Sequence, residues 1–89
     1  MILVLDIGNT NIVLGVYENT RLVTSSRMAT DRLKTADEYA MLIRDLFSYH
    51  GLDFTAIDGA AISCVVPPVI GTFEDLVRRY FHCEPVVVE

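Results

Sequence analysis

The chain is 89 residues long, 52% apolar, with 12 acidic against 7 basic side chains and a net charge of −5. That length allows one domain around a single core, and acidity with scattered basic residues argues against a nucleic-acid-binding surface. The apolar runs are far too short to span a membrane and no targeting segment opens the chain; Cys64 and Cys83 lack metal-ligand spacing, so reduced thiols in the cytoplasm are expected.

Residues 2–13, Ile-Leu-Val-Leu-Asp-Ile-Gly-Asn-Thr-Asn-Ile-Val, run from four apolar residues into Asp6, then through a polar turn into a second apolar stretch. This predicts a buried strand ending at Asp6, a tight turn and a returning strand. Main-chain N–H groups and short polar side chains at a strand end suit phosphate oxygens. A carboxylate beside them suits the divalent cation that accompanies a nucleotide. The turn is therefore read as an ATP-phosphate loop. Asp6 is the candidate holder of hydrated Mg²⁺, with self-capping of its own turn as the plain alternative. Gly8 supplies either a positive φ or room for close approach, or is simply a hairpin glycine. Thr10 and Asn11 offer donors, and Asn9 fits ordinary hairpin chemistry equally well.

Residues 12–18 and 21–28 read as two further strands joined at Asn19-Thr20, making an antiparallel meander in which Gly15 allows a close approach. The period then changes. Thr35-Ala-Asp-Glu38 is a capping-box signature, apolar residues follow at 36, 39, 40, 43, 46 and 47, and Gly51 stands where a left-handed cap closes the helix. Residues 57–66 read as a buried strand broken by Pro67-Pro68. Val69, Ile70, Phe73, Leu76, Val77, Tyr80 and Phe81 draw a second helical stripe, with Glu74–Arg78 and Asp75–Arg79 on a solvated face. Glu84-Pro85 ends it and Val86–Val88 begins a last strand. The tyrosines at 39, 49 and 80 are expected in the core.

The order β-β-β-α-β-α-β with right-handed crossovers predicts a mixed five-stranded α/β sheet of order 3-2-1-4-5, both helices on one face. The opposite face then lacks cover, as in the first half of something longer. Winding reverses between the first strand and the strand at 57–66, so a ligand crevice is expected at their carboxyl ends, where Asp6 to Asn11 and Val65 to Pro68 lie. Ser63 and Cys64 are expected to point into it, with Cys64 no nucleophile.

With Asp6-x-Gly8-x-Thr10-Asn11 in the first hairpin, this order resembles the N-terminal half of the actin, sugar-kinase and Hsp70 ATPase superfamily, a ribonuclease H-like fold. Leu5-Asp-Ile-Gly-Asn-Thr-Asn-Ile12, Thr35 with Asp37-Glu38, Ile62-Ser63 and Val65-Val66-Pro67 together resemble type III pantothenate kinases. The resemblance implies an incomplete half of a two-domain kinase that phosphorylates pantothenate from ATP in coenzyme A synthesis. It implies that Asp6, Ile7, Gly8, Asn9, Thr10, Asn11, Ile12 and Val13 line the phosphates, with Asp6 acting on Mg²⁺ through water. It further implies a monovalent cation, K⁺ or NH₄⁺, and a homodimer. The family's Gly-Ala-Asp-Arg segment, which binds pantothenate and supplies the base, has no match here, so the chain alone is expected to be inactive.

Other readings share these features. A ribonuclease H-type nuclease would need carboxylates besides Asp6, for which Glu38 and Asp58 are available. A non-catalytic accessory module in transcription would leave the loop idle. Arg27 and Arg32 could reach an anionic ligand or be solvated surface residues.

Overall fold

In the computed structural model, which describes residues 1–88, strand β1 (Ile2–Ile7) alternates in burial. Leu3, Leu5 and Ile7 are fully buried, whereas Ile2, Val4 and Asp6 face the other way. Strand β2 (Asn11–Glu18) repeats the pattern with Ile12, Leu14 and Val16 inward, and β3 (Arg21–Ala29) follows through a turn in which Asn19 takes a left-handed φ of 56°. Such alternation is what a sheet with one packed face requires.

Helix α1 (Ala36–Tyr49) begins in the expected capping box. The Glu38 N–H donates to Thr35 Oγ1 at 3.2 Å and the Thr35 N–H donates to Glu38 Oε1 at 2.9 Å. It closes at Gly51, whose φ of +72° suits a residue without a Cβ. Asp53 then caps a single 3₁₀ turn (Phe54–Ala56) by accepting from the Thr55 N–H. This turn delays the strand expected over 57–66 to Gly59, and the start of the next helix, with Val66 at its N-cap, ends it at Cys64, leaving β4 (Gly59–Cys64). Helix α2 (Pro67–Leu76) carries its prolines in the first turn and widens into a π-helical turn (Val77–Phe81) that stops at left-handed His82. Strand β5 (Val86–Val88) completes a sheet of order β3-β2-β1-β4-β5, with β4 parallel to both β1 and β5.

Both helices pack on the Leu3–Leu5–Ile7 face. Tyr39 of α1 and Phe73 of α2, each fully buried, meet with ring centroids 4.7 Å apart, and Phe47, Phe54 and Phe81 stack beside them. On the opposite face Ile2, Leu22, Val86 and Val88 are exposed. The expected core place of Tyr49 is not met: it is 85% exposed, because the last turn of α1 carries it round to the polar side. Arg78 and Arg79 make their expected pairs with Glu74 and Asp75, and two more besides, Arg78 to Glu84 at 2.6 Å and the long-range pair of Arg79 with Asp37 at 2.9 Å. Asp37 accepts from the Tyr80 hydroxyl as well, so the end of α2 is tied to the start of α1.

Phe73→Ala should cost about 3–5 kcal/mol in urea denaturation, whereas Glu74→Ala on the surface should move the midpoint little. The Tyr80 hydroxyl and the Arg79 guanidinium hold the Asp37 carboxyl below its ordinary value of 3.8. A lowered carboxyl contributes stability that is complete above the ordinary value and lost as pH falls through the lowered one. Asp37→Asn should therefore flatten the fall in melting temperature below pH 4 relative to the parent; an unchanged acid limb would show the tie to be inert.

Candidate functional site

The carboxyl ends of β1, β4 and β3 lie at one end of the sheet, since β1 and β4 run parallel and β3 is antiparallel to β2, itself antiparallel to β1. The hairpin between β1 and β2 stands at that end. Its closure is a main-chain bond from the Gly8 N–H to the Asn11 carbonyl at 2.9 Å. Gly8 does not take a left-handed φ. A Cβ built on it would stand 3.1 Å from that same carbonyl oxygen, so the glycine answers to close approach within the turn. Among the described residues, no acceptor is bonded to the N–H groups of Asn9 and Thr10, two exposed residues at the tip. Two adjacent main-chain donors without an acceptor at an exposed turn are available to an anion.

Asp6 lies on the uncovered face, in register between Val13 of β2 and Ser63 of β4. It is exposed, and among the described residues its carboxylate has no hydrogen-bond or ion-pair partner, so self-capping of the turn is not its role here. Val13 is half-buried beside it. Ile7 and Ile12, however, are fully buried against the helices, so only their main chain could face a ligand. The Ile7 carbonyl already accepts from the Val65 N–H at 3.1 Å. Asn11 is exposed at the start of β2, its amide 3.5 Å from the Thr10 hydroxyl.

Ser63 shares the Asp6 face, as expected, but Cys64 does not. Strand alternation turns its thiol to the helix side, where Sγ accepts from the Val66 N–H at 3.3 Å and packs against the core. The start of α2 is also a poor anion site: Pro67 and Pro68 have no N–H, and the Val69 N–H is bonded to the Val66 carbonyl at 3.0 Å. Donors to a phosphate are therefore found on the hairpin side of the crevice.

Sequence reading overlooked Thr30, the first residue after β3. Its hydroxyl donates to the Gly8 carbonyl at 2.7 Å and its N–H donates to the Thr10 carbonyl at 2.9 Å, so it grips both sides of the hairpin tip. The next residue is fixed from α1. The buried Tyr39 hydroxyl donates to the Asp31 carbonyl at 2.5 Å and accepts from the Asp31 N–H at 2.8 Å. Nothing local to Thr30 signals this, because its partners are twenty or more residues earlier.

The acids that a two-metal nuclease would need are elsewhere. Glu38 is engaged in its capping box, and Asp58 sits just before β4, at the opposite end of that strand from the hairpin. Among the described residues no three His, Cys, Asp or Glu side chains gather as a metal-binding group.

Residues 2–89 match the model of a family described as type III pantothenate kinase. Three proteins named type III pantothenate kinase are similar to the chain over 99% of its length: those of Halalkalibacterium halodurans (53% identical), an Exiguobacterium species (51%) and a Roseiflexus species (52%). The chain covers 35%, 35% and 34% of these relatives, so it spans about a third of their length.

Thr30→Val keeps the side-chain shape but removes the donor to the Gly8 carbonyl. It should lower stability in urea denaturation by about 1 kcal/mol, the scale of one hydrogen bond, while Thr30→Ser stays near the parent. Equal behaviour of the two variants would show that the hydroxyl does not hold the tip.

Proposed function

This chain belongs to the type III pantothenate kinase family, and from that premise we propose that it supplies the ATP-phosphate-binding part of an enzyme that phosphorylates the hydroxyl of pantothenate, opening coenzyme A synthesis. One observation carries the proposal: beside a hairpin with two free N–H donors, Asp6 presents an exposed carboxylate with no partner among the described residues.

Phosphoryl transfer asks a protein for placement and charge neutralisation more than for covalent chemistry. The Asn9 and Thr10 N–H groups donate to phosphoryl oxygens and orient the chain of phosphates. Thr30 keeps those donors in place from behind. Val13 floors the surface next to Asp6, and Gly8 lets the turn close tightly. A single exposed carboxylate fits Mg²⁺, which retains several waters and needs only one or two protein carboxylates. Asp6 would hold it, and the bound ion would offset the charge of the phosphates. Among the described residues no cluster of His, Cys, Asp and Glu offers itself to the K⁺ or NH₄⁺ that the family resemblance implies, and no ligand to it is assigned here. The acceptor and its base are assigned to the remainder of the complete enzyme, which we take to act as a cytoplasmic homodimer. Two free cysteines suit a reducing compartment, and among the described residues no helix is long and apolar enough to cross a membrane.

In the complete protein, Asp6→Asn should lower kcat for ATP-dependent phosphorylation of pantothenate by about 10²–10³-fold, the scale set by removing one charge-stabilising group. It should also abolish the rise in melting temperature on adding ATP with Mg²⁺. A variant that keeps the parent rate would refute the metal role, and a parent protein whose melting temperature ignores ATP with Mg²⁺ would leave a non-catalytic module.

A further inference from the structure

Of the seven basic residues, four have carboxylate partners: Arg21 with Glu18, Lys34 with Asp31, Arg78 with Glu74 and Glu84, and Arg79 with Asp37 and Asp75. Arg27, Arg32 and Arg44 have none among the described residues. Arg32 lies in the loop after β3, and Arg44 lies on the outer side of α1 beside Phe47 and Asp53. Arg27 is different. It is exposed on β3, directly opposite Val13, which is directly opposite Asp6. The three residues form one cross-strand row on the face that no helix covers, continued by Ser63 of β4. Arg27 and Asp6 are the two charged side chains that β1 to β4 place on this face among the described residues.

Two strand spacings set their Cα atoms about 10 Å apart. They form no ion pair, and a half-buried valine lies between them. A hydrated cation with phosphoryl oxygens fills such a gap. The carboxylate meets the cation at one end, and a long cationic side chain leaning over Val13 meets the oxygens at the other. Arginine's planar fork of donors matches phosphate oxygens bidentately and remains charged at every working pH.

We propose that Arg27 is a further catalytic residue that contacts the phosphoryl oxygens of the nucleotide held at Asp6, from the β3 side. This rests on the phosphate site proposed above. The contact adds positive charge to an otherwise acidic chain at the point where the ligand brings negative charge. The acceptor's carboxylate is the other anion that could meet this arginine, and kinetics separate the two.

The test uses the complete protein with Arg27→Met, Arg27→Lys, Asp6→Asn and, as a control away from the site, Arg44→Met. We expect Arg27→Met to weaken binding of a non-hydrolysable ATP analogue with Mg²⁺ at least 10-fold by titration calorimetry, and to lower kcat/KM for ATP by about 10²-fold, as for other transition-state charge contacts. The KM for pantothenate should stay within twofold of the parent, Arg27→Lys should recover part of the loss, and Arg44→Met should behave as the parent. The melting temperature of each variant without ligand checks that it is folded, so that a loss of nucleotide binding reads as a loss of contact. Parent-like nucleotide binding and kcat/KM in Arg27→Met, with Asp6→Asn impaired, would overturn the role of Arg27 alone. A rise confined to the KM for pantothenate would also overturn it, in favour of the acceptor carboxylate. If Asp6→Asn is unimpaired too, the phosphate site itself fails.

Discussion

Right-handed strand twist makes each parallel crossover right-handed, and β3–α1–β4 and β4–α2–β5 step across the sheet in the same direction, so both helices arrive on one face. Every other property of the molecule depends on that one-sidedness. The covered face collects Leu3, Leu5, Ile7, Ile12, Leu14 and Ile62 under Tyr39 and Phe73 and supplies the hydrophobic stabilisation. The uncovered face is left to Asp6, Val13, Arg27 and Ser63. Strand alternation then separates the two tasks residue by residue, which is why Asp6 can stand exposed between two fully buried neighbours, Leu5 and Ile7.

A polar turn at the end of a sheet would ordinarily be loose. Here it is linked to the core by a short relay of hydrogen bonds: the buried Tyr39 hydroxyl fixes Asp31, and adjacent Thr30 fixes the Gly8 and Thr10 carbonyls. With those carbonyls engaged from behind, the Asn9 and Thr10 N–H groups are the ones turned outward. Donors held in advance of the ligand need no reorganisation when it arrives, which is the property an anion-binding loop requires.

The charges follow the same division. Four of the cations away from the hairpin pair with carboxylates, as in the Asp37–Arg79–Asp75 and Glu74–Arg78–Glu84 groups at the end of α2. These exposed pairs add little stability singly, but the Asp37 group joins two helices that otherwise meet through apolar contact. The uncovered face keeps its acid and its arginine apart and unneutralised, and on that separation the proposed nucleotide site rests.

The chain's residues were enough to read the strand order, the capping box at Thr35–Glu38, the cap at Gly51 and the proline start of α2, because each depends on period, propensity or chemistry within a few neighbours. Asp6 and the hairpin stood out for the same reason, and the structure places the side chains of Ile7 and Ile12 in the core. Residues 57–58 lie outside β4 because the 3₁₀ turn capped by Asp53 decides where pairing starts, which the run of residues cannot report. Tyr49 and Cys64 were misplaced because a single helix turn or strand step sets which way a side chain points. Thr30, the Asp37–Tyr80 contact and the Arg27–Val13–Asp6 row were invisible in the linear order, since each joins residues well separated along the chain. Local patterns are written into neighbouring residues, whereas a site assembled across strands exists only once sheet register has brought distant residues side by side.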